Sequence, residues 1–300
     1  MREHTIIKNE VIMGIDTSTP FDASRVLFEC DKLKEKGAQV FTIGKSILGT
    51  PIPCIKLGQK DECSLFVGAH HGMEHITAGI LLKFAENIAS LQTNEYRNSI
   101  YIVPMINPDG CELAINGIGA ARHLKDELLR MNGGSDFSRW QANARGVDLN
   151  HNYDAGFDIY KEIEKKLGIS SGCSTRYSGE RSESEPETKA LCNLTRTLSE
   201  KLKVVVALHT QGEEIYYDYN GKIPRGSREL AEKLSRISGY AMSSPDEIAS
   251  YGGYKDWVID KFDIPAFTIE CGKGKNPLPQ SDFDGIMKKT EPILYCASFF

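Results

Sequence analysis

The chain has 300 residues, enough for one large α/β domain with a sizeable core or for two small ones. With 40% hydrophobic and 26% charged residues it has the balance of an ordinary globular protein. A net charge of -5 argues against nucleic acid or an anionic membrane as the main partner, and no apolar run approaches the ~20 residues of a membrane-spanning helix.

MREHTIIKNEVIMG opens the chain without the apolar stretch or small-residue cleavage site of a leader peptide. The eight cysteines are scattered, form no C-x-x-C pair, and in places sit inside apolar runs, where a free thiol acts as a small hydrophobe. Both features lead us to expect a reducing, cytoplasmic location.

Thr19-Pro20 predicts a helix start, with apolar residues at helical spacing through Val26, Leu27 and Leu33 and a stop at Gly37. Two short strands follow, Val40–Ile43 and Ile52–Leu57, joined by a Gly-containing turn. The apolar run Ser64–Ala69 reads as a buried strand, and a helix is expected from about Ile76 to Leu91. Ser99–Ile106 reads as another buried strand, ending at the turn Asn107-Pro108-Asp109-Gly110.

Residues 111–145 read as loop with some helix, and 168–185 as a small, polar and mobile stretch. A helix is expected from Pro186 to about Leu202, then a third buried strand, Lys203–Leu208, ending at His209. Ser227–Gly239 has the pattern of a capped amphipathic helix. Ala266–Ile269 is a fourth buried strand ending at Glu270, and a C-terminal helix carries Ile286, Met287, Ile293 and Leu294. Strands alternating with helices imply a single α/β domain spanning 1–300, its sheet mixed but largely parallel and covered by helices on both faces.

Ligands of open α/β sheets gather beyond the carboxyl ends of the strands. Three apolar runs here lead into His70-His71-Gly72-Met73-Glu74-His75, into His209 and into Glu270. Imidazole and carboxylate side chains converging at one sheet edge suit a catalytic zinc, which takes three protein ligands and keeps one position open. Taken singly, His209 reads equally well as a hydrogen-bonded structural histidine. Glu270 is harder to dismiss, since a buried carboxylate without a partner costs several kcal/mol.

Six ordered segments carry a family resemblance over nearly the whole chain: GAHHGMEHITAGILL, INPDG, RGVDLNHNYDAGF, YSGERSESEPET, VVVALHTQGEEIYY and YGGYKDW with PAFTIECGKGKNPLP, preceded by the hairpin IGKSILGTPIPCIKLG. The sequence resembles the zinc carboxypeptidase family, and within it the bacterial γ-D-glutamyl-diaminopimelate peptidases that cut peptidoglycan peptides. The resemblance implies one Zn2+ held by His71, Glu74 and His209, Asp148 orienting the first zinc histidine, and Glu270 as general base. It implies a peptide or muropeptide as substrate. His70 and His75 are then neighbours rather than ligands.

Two positions depart from the family pattern. Gln141 stands where an oxyanion arginine is usual, which leaves Arg130, Arg139 or Arg145 as alternative sources of positive charge. Asn150-His151 replaces the Asn-Arg pair that grips a terminal carboxylate, and an imidazole is a poorer clamp than a guanidinium fork. Strict C-terminal trimming is therefore not expected. Lys255 falls at the position lining the specificity pocket, where it would favour a side-chain carboxylate such as that of diaminopimelate. Tyr251 lies near, but a few positions from, the family's mobile tyrosine.

Three other readings compete. His71–His75 also fits the H-x-x-E-H pattern with His75 as ligand, but that needs the motif inside one helix, whereas here a strand runs into it and Gly72 sits within it. An inactive binder of peptidoglycan fragments on the same fold, or a carboxypeptidase for ordinary peptides, would share most of the motifs. Gly117-Ile118-Gly119 lacks the preceding strand that a phosphate loop requires.

Overall fold

A computed structural model of the chain describes residues 14–90, 98–245 and 250–300. The N-terminal residues read for a leader, up to 13, and Leu91 at the expected end of the second helix lie outside the described residues.

Eight strands form one sheet in the order β1-β2-β4-β3-β5-β8-β6-β7. They are β1 (Gln39–Lys45), β2 (Pro51–Leu57), β3 (Cys63–Val67), β4 (Ser99–Val103), β5 (Leu202–His209), β6 (Glu214–Tyr216), β7 (Ala241–Met242) and β8 (Ala266–Glu270). The centre, β4-β3-β5-β8, is parallel throughout, while β1-β2, β2-β4 and β6-β8 pair antiparallel. The mixed, largely parallel sheet expected from the sequence is what the chain forms.

Alternation along the central strands fills a core on each face. Phe66, Val204, Val206, Leu208, Phe267 and Ile269 point to one side, against α1 (Ala23–Glu35), α2 (Ile76–Ser90), α7 (Ser227–Ser238) and α9 (Phe283–Ser298). Leu65, Val67, Val205, Ala207 and Ala266 point to the other, against α6 (Pro186–Leu198) and α8 (Tyr254–Phe262). Parity then carries His209 and Glu270 to the α6/α8 side at the strand ends. The two residues are direct partners in the parallel β5-β8 register.

Several boundaries differ from expectation for local reasons. α1 begins at Ala23 rather than at Pro20, because Asp22 is the better cap and accepts from the Arg25 backbone N–H at 2.8 Å. β4 stops at Val103, before Pro104, which has no N–H to give to a ladder. The stretch 111–145 is mostly helical, with α3 (Pro108–Asn116), a 3₁₀ segment Gly117–Leu124 and α4 (Lys125–Asn132) over a small core around Trp140. α5 (Phe157–Lys166) and α8 do not show in the sequence pattern, because with 10 and 9 residues they are too short for a helical period to stand out.

The polar stretch 168–185 corrects the expectation of a mobile loop. Ser178 and Glu185 are buried, Asp148 N–H donates to the Tyr177 carbonyl at 2.7 Å, and Asn152 Nδ2 donates to the Ser178 carbonyl at 2.7 Å. Side-chain hydrogen bonds hold this segment where apolar patterning is absent.

Candidate metal centre and active site

The turn after β3 is built for close approach. Gly72 N–H donates to the Gln141 carbonyl at 3.0 Å and Met73 N–H to the Trp140 carbonyl at 2.8 Å. A Cβ on Gly72 would lie 2.3 Å from the Gly110 carbonyl oxygen, so only glycine lets the turn seat there. Fully buried Asn107 ties the same region together, donating through Nδ2 to the carbonyls of His70, Gln141 and Ala142. The result is a single 3₁₀ turn, Gly72–Glu74, which presents His71 and Glu74 side by side.

One nitrogen each from His71 and His209 and one oxygen from Glu74 lie within 4.8 Å of one another. His71 Nδ1 is 2.9 Å from Glu74 Oε1, and His209 Nδ1 is 3.1 Å from Glu74 Oε2. On its other side, His71 Nε2 sits 3.2 Å from Asp148 Oδ1, so the carboxylate takes the Nε2 proton and turns the Nδ1 lone pair toward Glu74. In that buried pair either a proton or a metal ion bridges Nδ1 and the Glu74 carboxylate. Two imidazole nitrogens and one carboxylate oxygen are the donors of a catalytic zinc site, and the residues fit that metal.

The electrostatics follow from this crowding. Burial alone would lower the His71 imidazole, but Glu74 and Asp148 together outweigh it and hold it well above its ordinary pKa. Burial also opposes ionisation of Glu74, yet the two histidines bring its carboxyl down to about 2. Glu270 is pushed well above the usual carboxylate range, first by burial, then by the nearby charge of Glu74, with Glu214 adding to it and His71 opposing. A bound cation would relieve much of that upward push.

A cavity of about 220 Å³ opens over these groups. Beside the metal cluster it is lined by the hydrogen-bonded segments that carry Gln141, Asp148, Thr175 and Arg176, by Asn150 and His151, and by Tyr216, Lys255, Asp256, Thr268 and Glu270. Asn150 Oδ1 accepts from the Tyr254 N–H at 3.1 Å, which leaves its amide hydrogens for the cavity. His151 Nδ1 donates to the Tyr251 carbonyl at 2.8 Å, and its ring stacks on Tyr160 at 3.9 Å. Burial lowers its pKa, so Nε2 offers a lone pair rather than a proton.

Lys255 is buried, and its ammonium is held by the Asp218 carbonyl and the Asp256 carboxylate. The cavity floor therefore carries a plus and a minus charge together.

Other candidates lie elsewhere. His70 turns to the Tyr153 hydroxyl at 3.0 Å, and burial lowers its pKa well below the ordinary value. His75 stands outside the cluster just before α2, which removes the H-x-x-E-H reading, and burial holds it at about 4. Arg139 is exposed and does not line the cavity. Arg130 and Arg145 line a separate cleft of about 620 Å³, and Arg145 pairs with Glu185 at 3.3 Å, because the 145–147 turn faces away from His71.

Tyr251 is also misplaced as a candidate. Its ring packs against Tyr219 and fills the space over Gly156, and only its carbonyl approaches the site, through His151. The tyrosine that lines the cavity is Tyr216, whose hydroxyl donates to Glu214 at 2.6 Å. Arg176, Thr175 and Tyr216 had no signal in the sequence pattern. Arg176 and Thr175 reach the site only because 174–177 pairs with 141–148.

Comparison with known proteins decides the family. A zinc carboxypeptidase (peptidase M14) family model matches residues 28–292. The chain belongs to the zinc carboxypeptidase family. It is thus one of the zinc metallopeptidases, which are hydrolases and use Zn2+. It is 37% identical over 261 residues to γ-D-glutamyl-L-diamino acid endopeptidase 1 of Lysinibacillus sphaericus, a match covering 82% of this chain and 64% of the relative's length. The fold resembles bovine thrombin-activatable fibrinolysis inhibitor (TM-score 0.74, 21% identity, 94% of this chain and 97% of the other). It also resembles the murein-tripeptide amidase of Escherichia coli O157 (TM-score 0.59, 21% identity, 87% and 95%). The zinc carboxypeptidase fold thus accounts for nearly the whole chain.

Proposed function

We propose that this zinc carboxypeptidase-family chain is a peptidase that hydrolyses the amide bond between a γ-linked D-glutamyl residue and diaminopimelate in peptidoglycan-derived peptides. The observation that carries the proposal is the floor of the cavity. A buried Lys255–Asp256 pair lies there beside the lone pair of neutral His151. A lone carboxylate or a lone alkyl chain would leave half of that charge pattern unanswered. The free amino-carboxylate end of a diaminopimelyl side chain answers both halves, its carboxylate to Lys255 and its ammonium to Asp256 and His151. The name of the Lysinibacillus sphaericus relative supports the same linkage.

In this reading, His71, Glu74 and His209 hold zinc, which when bound supplies Lewis acidity and a more acidic water. Asp148 fixes the His71 tautomer. Glu270, which lines the same cavity, removes a proton from the attacking water and delivers it to the departing amine. Gln141, its carboxamide oxygen held by the Thr175 hydroxyl, turns its amide hydrogens to the carbonyl oxygen where charge develops. Asn150 adds a second amide donor.

The eight cysteines, all free, support placing the enzyme in a reducing cytoplasm, in recycling or catabolism of cell-wall peptides. Among the described residues no helix is long and apolar enough to cross a membrane.

Incubation with L-alanyl-γ-D-glutamyl-diaminopimelate tests the proposal by mass spectrometry. Release of free diaminopimelate is the expected result, and lysine in place of diaminopimelate should slow it. Cleavage confined to α-linked peptides would overturn the substrate assignment and leave the metal site standing.

A further inference from the structure

Arg176 is the one arginine among the described residues that lines the active-site cavity, and the family's usual arginine position holds Gln141 instead. The backbone of Arg176 is pinned on both sides. Its N–H donates to Asp148 Oδ2 at 3.0 Å, and its carbonyl accepts from the Tyr160 hydroxyl at 3.0 Å. It is held in the left-handed region at φ 67, which a side-chain-bearing residue adopts only under constraint. Asp148 in turn orients His71, so the root of the Arg176 side chain is registered to the metal cluster through one carboxylate.

The guanidinium itself is exposed and has no anionic partner among the described residues, whereas Arg145 and Arg196 pair with Glu185 and Glu183. A fixed root and an unpaired, solvent-facing head suit capture of an anion brought by the substrate. The wall it shares with Gln141 and Thr175 offers donors, its one carboxylate, Asp148, being already engaged by His71 and two backbone N–H groups. Lys255 and Asp256 enter the cavity from α8 and not from the hydrogen-bonded 141–148 and 174–177 segments, so Arg176 belongs to the acyl side of the scissile bond if they receive the leaving residue.

Resting on the proposed substrate, we infer that Arg176 is a specificity residue whose guanidinium binds the α-carboxylate of the γ-linked glutamyl residue. In a γ-glutamyl amide the scissile carbonyl is the side-chain carbon, and the α-carbon, three bonds away, bears a free carboxylate. An α-linked donor carries its peptide nitrogen on the carbon next to the scissile carbonyl instead, and only an α-linked glutamate among them puts a carboxylate at the same distance. The exposure of Arg176 fits a ground-state contact at the cavity mouth rather than stabilisation of charge at the reacting carbonyl, which works best with water excluded.

The test compares two peptides that differ only in that group, γ-D-glutamyl-diaminopimelate with a free α-carboxylate and its α-carboxamide counterpart. Wild-type protein should favour the acid in kcat/KM by about 10- to 100-fold, the size of a charge-assisted bidentate contact. Arg176→Ala should lose that preference through KM on the acid, with the amide peptide changed by no more than about threefold. Arg176→Lys should fall between, since an ammonium lacks the planar fork. Zinc content and melting temperature of both variants check that the fold is kept.

Equal losses of kcat on both peptides in Arg176→Ala would overturn the inference and place the residue at the reacting carbonyl instead. An unchanged acid preference in Arg176→Ala would also sink it, while turnover of the acid peptide leaves the proposed function intact. Failure of wild-type protein to cut either peptide would remove the proposed function and this inference together.

Discussion

Glu270 and Asp148 are both carboxylates close to His71, yet their surroundings give them opposite tasks. Asp148 accepts from the backbone N–H groups of Asn150 and Arg176 as well as from His71, which keeps it ionised against the cost of burial. Glu270 has no such donors and is pushed the other way by burial and by Glu74, so it can take up a proton during turnover. Glu270→Gln is expected to lower kcat by about 10²- to 10⁴-fold with zinc stoichiometry unchanged, read by steady-state kinetics and metal analysis. Asp148→Asn should leave the base in place but weaken zinc binding by about 10- to 100-fold, read by competition with a chelator. At this scale the four central residues were legible because each follows an apolar strand and strand parity sets its face. Arg176 was not, since nothing in GCSTRYSG marks it and its place depends on pairing with residues far away in the chain.

At the scale of elements, the helices and strands that showed were those with a clear apolar run or period, α6 among them. Its first turn, however, is held by polar contacts that no apolar period reveals. Glu187 is fully buried there and joins three segments: Ile47 N–H donates to Oε1 at 3.1 Å from the β1-β2 turn, and Asn143 Nδ2 donates to Oε2 at 3.2 Å from the loop between α4 and α5. Burial, which outweighs those donors, raises its pKa from 4.5 to about 8. In the window between these values the folded chain binds a proton that the unfolded chain has lost. The stability contributed by Glu187 is therefore complete below pH 4.5 and is lost as pH rises through 8. Glu187→Gln should remove this dependence, so that the difference in unfolding free energy between variant and wild type shifts in the variant's favour by up to about 4 kcal/mol from pH 5 to pH 9. Urea unfolding at several pH values measures it, and a constant difference would show that Glu187 ionises normally.

Across the whole molecule, the architecture was readable because an α/β sheet covered on both faces declares itself in continuous apolar runs separated by helical periods. Less readable was how the molecule closes on its site, since the side chains that meet there leave β3, β5 and β8 at points far apart in the chain. His71, Glu74 and His209 bring together residues 135 positions apart, and they do so as acceptors crowded around one point. Without a metal ion, a proton held on His71 bridges it to Glu74; a metal ion in its place clamps the turn after β3 to the end of β5. Metal binding to the folded chain alone must therefore stabilise the whole fold by mass action, about 4 kcal/mol when free zinc is 1,000 times its dissociation constant. For a chain of this length that corresponds to a fall in melting temperature of roughly 5–10 °C on chelation, reversed by added zinc. Glu74→Ala deletes a ligand, so its melting temperature should no longer respond to chelator or to zinc. If chelation moved wild type and Glu74→Ala alike, the stabilising ion would sit somewhere other than between these three side chains.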